Sequence, residues 1–337
     1  MSPTFLVTVD TEGDNLWSAP SEITTENAAF LPRFQSLCEK YGVKPTYFVN
    51  YEMVSSPVFK AFGTHALMHD KAEIGTHVHA WNTPPLRPLT RNDRAAMPYL
   101  IDYTEEVMRE KIAYLTGVLE ETFQQKMVSH RAGRWGFDAR YATILAACGY
   151  KADSSVTPHI CWKRATEAGT VTLLDYARYP ESPYFLDLND IRLPGKSSLL
   201  ELPMTVRLRR PGAGRLWSRL PARSLLRRGV NRLSPPMWLR PDGKNLKDML
   251  YLIENTLANR QPYAQFMLHS SELMPGGSPT FQTPASIESL YEHIETVFEA
   301  ASRPMSCQTV KAFAAAFEKA NPQPVNVGAS DGQGEHL

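Results

Sequence analysis

Three short stretches of this chain, and one histidine near its end, carry side chains able to move protons or hold a cation. In TFLVTVDTEGDNLW, residues 4–17, Asp10, Glu12 and Asp14 follow directly on an apolar run. In EIGTHVHAWNTPP, His77 and His79 stand two apart, with Trp81 just after them. SHRAGRWGFD carries Arg131, Arg134 and Trp135, and FMLHSSELMPGGSP carries His269. Clustered carboxylates repel one another unless a cation or a basic group compensates. Two imidazoles with one or two carboxylates form the kind of donor set that holds catalytic zinc and leaves a position open for water. One carboxylate could ligate while the other takes a proton. An arginine directly after a strand can keep a catalytic carboxylate ionised. A histidine at a strand end can protonate a leaving amine.

Each of these residues also has an ordinary reading. Asp14 reads as a solvated loop residue, and of an HxH pair one ring can be exposed and the other bonded in a turn. His269 could bond a loop carbonyl, Arg134 could be a solvated surface charge, and Trp135 could pack in the core or stack on a sugar. Ser270 and Ser271 lie in no G-x-S-x-G elbow, so a serine nucleophile has no support.

The elements that must position these residues alternate between strand and helix. Residues 4–10 read as a strand, 26–42 as a helix ended by Gly42, and 44–51 as a second strand. A short strand over 71–81 empties into a loop, a long helix spans about 103–124, and another strand ends at His130 and Arg131. A helix stopped by Gly149, strands at 197–205 and 263–271, and helices at 245–260 and 283–300 complete the pattern, with Thr283 as a cap. About seven βα units without an internal repeat predict an α/β fold with one parallel barrel. Asp10, Glu12, His77, His79, His130, Arg131, Glu201 and His269 all fall at or just past strand C-termini, which a parallel barrel gathers on one face.

Composition narrows the setting. A net charge of +1 gives no general attraction to nucleic acid or membrane, so any basic surface is local. That local bias lies between Met204 and Pro241, where ten arginines occur without one acidic residue. It reads as a lid gripping an anionic or phosphate-linked saccharide, as a segment touching anionic lipid, or as a solvated helical hairpin. Nucleic acid is not expected as a partner. The four cysteines show no CxxC spacing, and Cys38 and Cys148 read as buried thiols. The start, MSPTFLVTVD, has neither a basic stretch nor a long apolar core. The expectation is a cytoplasmic protein, peripheral to the inner membrane face if the arginine segment touches lipid.

Taken in order, the stretches resemble the polysaccharide deacetylase (NodB-homology, carbohydrate esterase) family, which removes N-acetyl groups from sugars. TVDTEGD resembles its first motif, EIGTHVH its second, SHRAGRWG its third, LLELPMT its fourth and MLHSS its fifth. The likeness runs from about residue 4 to residue 315 and is greatest to a branch associated with bacterial surface-polysaccharide genes. Composition marks an Arg-rich insertion at 206–240, expected over the active-site rim, and a Pro/Gly-rich tail at 321–337, expected to be disordered, while the likeness implies a distorted (β/α)7 barrel over residues 1–320. It also implies a divalent metal, zinc first with cobalt or nickel as alternatives, held by Glu12, His77 and His79. Asp10 takes the role of general base, Arg131 supports it, and His269 takes the role of catalytic acid. Two departures stand out: Thr11 occupies the family's usual second acidic position, and Trp81 stands where the second histidine usually falls.

Trp81, Arg134 and Trp135 are the candidates for substrate contact. The function expected is metal-dependent hydrolysis of an N-acetyl group on a sugar of a bacterial surface polysaccharide or its lipid- or nucleotide-linked precursor. The alternatives are a saccharide-binding barrel without turnover and an amidohydrolase acting on a non-sugar amide.

Overall fold

A computed structural model describes residues 2–165, 171–209 and 234–322. Its frame is a sheet of seven parallel strands: Thr4–Thr11 (β1), Thr46–Val49 (β2), Glu73–Val78 (β3), Ser129–Ala132 (β4), Ala152–Asp153 (β5), Leu200–Glu201 (β6) and Tyr263–His269 (β7). They lie in the order β7-β1-β2-β3-β4-β5-β6, and Tyr184–Phe185 adds an antiparallel edge to β6. All eight residues of β1 and all seven of β7 are buried. Burial on both faces is what a parallel sheet covered by crossover helices requires, and it explains the unbroken apolar runs. Ser306–Gln308 pairs with the start of β1, below the functional end of that strand.

The crossover helices are amphipathic. Leu31–Lys40 (α1) buries Leu31, Phe34, Gln35 and Cys38, the spacing of one helical stripe. Pro57–Met68 (α2) follows β2, Glu105–Phe123 (α3) follows β3, and Ala139–Ala147 (α4) follows β4. Leu246–Ala258 (α5) precedes β7, and Pro284–Ser302 (α6) and Val310–Ala320 (α7) follow it. Thr104, Asp138, Thr283 and Thr309 cap their helices by accepting a backbone N–H. Gly42 and Gly149 take positive φ, 65° and 85°, just past the ends of α1 and α4.

The sheet does not close with a ladder between β6 and β7. The hairpin Val206–Leu208 with Pro236–Trp238 fills that gap, and Leu239 bridges it: its N–H donates to Thr205 O at 3.1 Å while its carbonyl accepts from Met267 N at 3.1 Å. This stitched seam is the distortion of the seven-stranded barrel. The strand expected over 197–205 contributes only two ladder residues, because the chain turns there to form the seam. Cys148 is exposed rather than buried, since it follows the last turn of α4, whereas Cys38 is buried as expected. Residues 210–233, most of the arginine-rich insertion, and 323–337, most of the tail, lie outside the described residues. Among the described residues no helix is long and apolar enough to cross a membrane.

One buried cation braces the loop that leaves β3. Lys111 of α3 is 1 % exposed, and its Nζ donates to the carbonyls of Thr83 at 2.6 Å and Pro85 at 2.8 Å. Burial pulls its pKa down to about 8. Because the unfolded lysine stays protonated to about pH 10, the unfolded chain binds more protons than the folded one between these values, and stability rises with pH there. Lys111→Met is expected to lack that gain. Thermal melts of both proteins between pH 8 and pH 10 should show the wild type gaining relative to the variant, and a constant difference would refute the assignment.

Candidate metal and active site

Side chains two apart on a strand face the same way, and the site is built from two such pairs. Asp10 and Glu12 leave the end of β1, and His77 and His79 leave the end of β3. Thr11, between the two acids, turns its hydroxyl to Val9 O at 3.1 Å. The β1–β7 register sets Asp10 beside His269, and the β3–β4 register sets His77 beside Arg131. Glu12 is fixed by Ser270, whose hydroxyl accepts from the Glu12 N–H at 3.1 Å and donates to its carbonyl at 3.2 Å.

Glu12 Oε2 lies 3.2 Å from His79 Nε2 and 3.5 Å from His77 Nε2. One donor atom from each of these three buried residues falls within 4.8 Å of the others. His77 Nδ1 donates to the Arg131 carbonyl at 2.9 Å, which leaves Nε2 of the neutral ring as a lone pair facing Glu12. The His79 ring stacks on Trp81 with centroids 4.4 Å apart. Gly133 lets the next loop close over it, since a Cβ there would meet Val78 O at 2.4 Å and His79 Cδ2 at 2.6 Å. Burial pushes the Glu12 carboxyl up, but the histidines His269, His77 and His79 outweigh it and hold the group well below its usual range. Burial likewise pulls His77 down, and the charges of Asp10 and Glu12 outweigh it and raise it. That field attracts a cation. An oxygen and two imidazole nitrogens, buried and adjoining a cleft, suit a divalent metal with an open position.

The second half of the site is an acid–base pair. Asp10 Oδ1 accepts from Arg131 Nη1 at 2.5 Å, and Arg131 is fully buried. Its remaining donors reach Ser154 O at 2.9 Å, Thr8 Oγ1 at 3.0 Å and Ser154 Oγ at 3.2 Å. Burial raises the Asp10 carboxyl, but Arg131, His77 and His269 together hold it below its ordinary value. His269 Nε2 lies 3.9 Å from Asp10 Oδ2 and 3.9 Å from Glu12 Oε1. Its Nδ1 is 3.1 Å from Arg240 Nη2 and 3.4 Å from Glu272 Oε2, and Arg240 also donates to Glu272 Oε1 at 3.0 Å. Burial pushes Glu272 up, yet Arg240 and His269 pull it down to about 2. Trp17 closes the outer side, its ring edge-on to His269 with centroids 4.9 Å apart.

These groups form the floor of a cleft of about 880 Å³. Trp81, Arg134 and Trp135 line it, as do Trp17, Arg94 and Tyr99. Trp135 packs with Met204, Val206 and Met267 and is 6 % exposed, so only its edge serves the cleft. His130 and Glu201 do not join the site. His130 bonds Asp153 at 2.7 Å and Tyr141 at 2.9 Å, and Glu201 accepts from Val156 N at 3.0 Å. Asp14 is not solvated: it is 8 % exposed and accepts from Thr24 Oγ1 and from the N–H groups of Glu26 and Asn27, anchoring the turn that leads into α1. Glu272, Arg240, Arg94 and Trp17 were not among the sequence candidates. Glu272 had a signal, lying three residues after His269 as in a capping box, and Arg240 ends the arginine-rich stretch expected over the rim; Arg94 and Trp17 had none.

Comparison with known proteins locates the fold. A Mycobacterium smegmatis structure assigned as a polysaccharide deacetylase aligns over 97 % of this chain and 95 % of its own, with TM-score 0.53 at 15 % identity. A 4-alpha-glucanotransferase from Thermococcus litoralis aligns over 93 % of this chain and 40 % of its own, with TM-score 0.51 at 13 % identity. The Xyl-CE4 domain of a xylanase from the hindgut metagenome of Trinervitermes trinervoides covers 96 % and 95 %, with TM-score 0.46 at 9 % identity. No family model and no curated protein sequence matches the chain. The chain has the NodB-like fold of the carbohydrate-esterase deacetylases.

Proposed function

We propose that the protein is a metal-dependent hydrolase that removes an N-acetyl group from a sugar of a bacterial surface polysaccharide or its lipid- or nucleotide-linked precursor. The observation that carries this reading is the convergence at one cleft floor of an Arg-paired Asp10, a Glu/His/His donor set and His269. Glu12, His77 and His79 would hold the cation. When bound, it supplies positive charge that polarises an amide carbonyl and makes a water easier to deprotonate.

The chain's own residues do the rest. Asp10, kept ionised by Arg131, accepts the proton of the attacking water. His269 Nε2 faces the same space and donates a proton to the departing amine, so that amine leaves rather than amide anion. Glu272, itself held by Arg240, accepts from the far ring nitrogen of the protonated ring and fixes the direction of Nε2. The test is acetate release from N-acetylated oligosaccharides by zinc-loaded protein, with Asp10→Asn as control. Release lost in the variant supports the reading. Release that is equal in both, or absent from the wild type across a broad N-acetyl sugar panel, refutes it.

A further inference from the structure

The cleft wall carries a positive charge that the deacetylation chemistry leaves unused. Arg134 lines the cleft and is exposed, and its guanidinium has no hydrogen bond or ion pair among the described residues. Its contacts are ring faces, Tyr99 at 5.9 Å and Trp81 at 6.0 Å from the centroids. Arg94 approaches the same Trp81 ring at 6.0 Å, and its guanidinium donates only to neutral carbonyls, Pro20 O at 2.9 Å and Leu16 O at 2.7 Å. Two guanidiniums therefore flank one indole without a carboxylate bonded to either. The acids nearby are committed elsewhere. Asp10 pairs with Arg131, Glu12 faces the two histidines, and Glu52 accepts from Asn50 at 2.5 Å, from Asn82 and from Gly13 N. Burial pulls Arg94 below its usual pKa; the charge of Glu52 opposes this and the Arg134 charge adds to it, so the two cations feel one another although Glu52 offsets part of the charge.

The backbone at this point is strained in a way that holds the arginine in place. Arg134 and Trp135 are consecutive non-glycine residues at positive φ, 55° and 63°. Left-handed backbone is unfavourable for such residues, and strain of this kind persists where surrounding structure enforces it. Here Tyr176 donates to the Trp135 carbonyl, and Gly136 N–H donates to Gly133 O at 3.2 Å. A glycine at 134 would relieve the strain but would present no charge.

We propose that Arg134, with Arg94 beside it, is a recognition site for an oxyanion on the saccharide, a carboxylate or a phosphate, so that the substrate is an acidic sugar. A fork of guanidinium donors matches either group. The proposal rests on the saccharide reading above, but its test reads binding rather than hydrolysis.

The experiment titrates metal-free full-length protein, followed by calorimetry, with three probes: N-acetylglucosamine, N-acetylglucosamine phosphate and an N-acetylated hexosaminuronic acid. At least one anionic probe is expected to bind about tenfold or more tighter than the neutral sugar, the worth of a charged hydrogen bond. Arg134→Gln should remove most of that preference and move the affinity for the neutral sugar less than about twofold, while Arg134→Lys keeps part of it. The tighter of the two anionic probes identifies the group as phosphate or carboxylate. Equal binding of all three, no binding of either anion, or a preference that survives Arg134→Gln overturns the proposal. Anion-selective binding without acetate release would sink the hydrolase reading and leave this site standing. Acetate release from N-acetyl sugars without any preference for the anionic probes in binding would do the reverse.

Discussion

Arg131→Met is expected to lose about 4 kcal/mol of stability, the cost of removing one partner from a buried ion pair. Arg131 is among the largest fully buried side chains and sits with its guanidinium carbon 4.5 Å from the centre of the Phe48 ring. Methionine replaces the apolar length but none of the donors, so Asp10, Thr8 and the Ser154 carbonyl all lose a partner. Asp10 would then be a buried carboxylate beside Glu12, with burial pushing its pKa up and the main opposing charge gone. The pH dependence carries a sign. In the wild type the depressed Asp10 pKa contributes stability above about pH 4 that fades as pH falls through the folded value. In the variant the carboxyl is raised, so it costs stability near neutrality and less in acid. Denaturant unfolding should show a gap between the two proteins that is widest near pH 7 and narrows toward pH 4. A variant as stable as the wild type at pH 7 would remove Arg131 from the role assigned to it.

Asp10→Asn should lower acetate release by about a thousandfold, within the range that a positioned general base contributes, while the protein keeps its metal. Asparagine is nearly isosteric, and its carbonyl oxygen can still accept from Arg131, so folding should survive with a lowered melting temperature. Glu12→Gln should behave differently, losing metal first and activity with it, because Glu12 rather than Asp10 faces both histidines. Measuring metal content and turnover on both variants separates the two roles. Metal kept in Glu12→Gln and lost in Asp10→Asn would show that base and ligand are exchanged.

Much of this site can be read in the chain because strands alternate with period two. DxE and HxH each place two side chains on one side, and a parallel register then brings the ends of β1, β3, β4 and β7 to one floor. Trp81, which stands at the familiar second-histidine spacing, stacks on His79 instead of competing with it for a cation. The same rule of strand ends reaches too far at His130 and Glu201, whose side chains bond Tyr141, Asp153 and the Val156 backbone away from the cleft. What is not legible comes from irregular segments. Trp17 and Arg94 reach the cleft from single-turn helices, Leu16–Ser18 and Asp93–Ala96, too short to show a period, and Leu16 and Pro20 offer Arg94 only backbone carbonyls, which no sequence pattern announces. The arginine-rich run shows charge but not partners. Arg207, Arg209 and Arg240 pair with Glu181, Asp248 and Glu272, acids outside the run.

The central claim is that Glu12, His77 and His79 hold a divalent metal, and elemental analysis of purified protein beside His77→Ala tests it most directly. The account predicts about one zinc, cobalt or nickel per chain in the wild type, with little or none in the variant. No metal in the wild type even after reconstitution with excess zinc, or equal metal in both proteins, would contradict it.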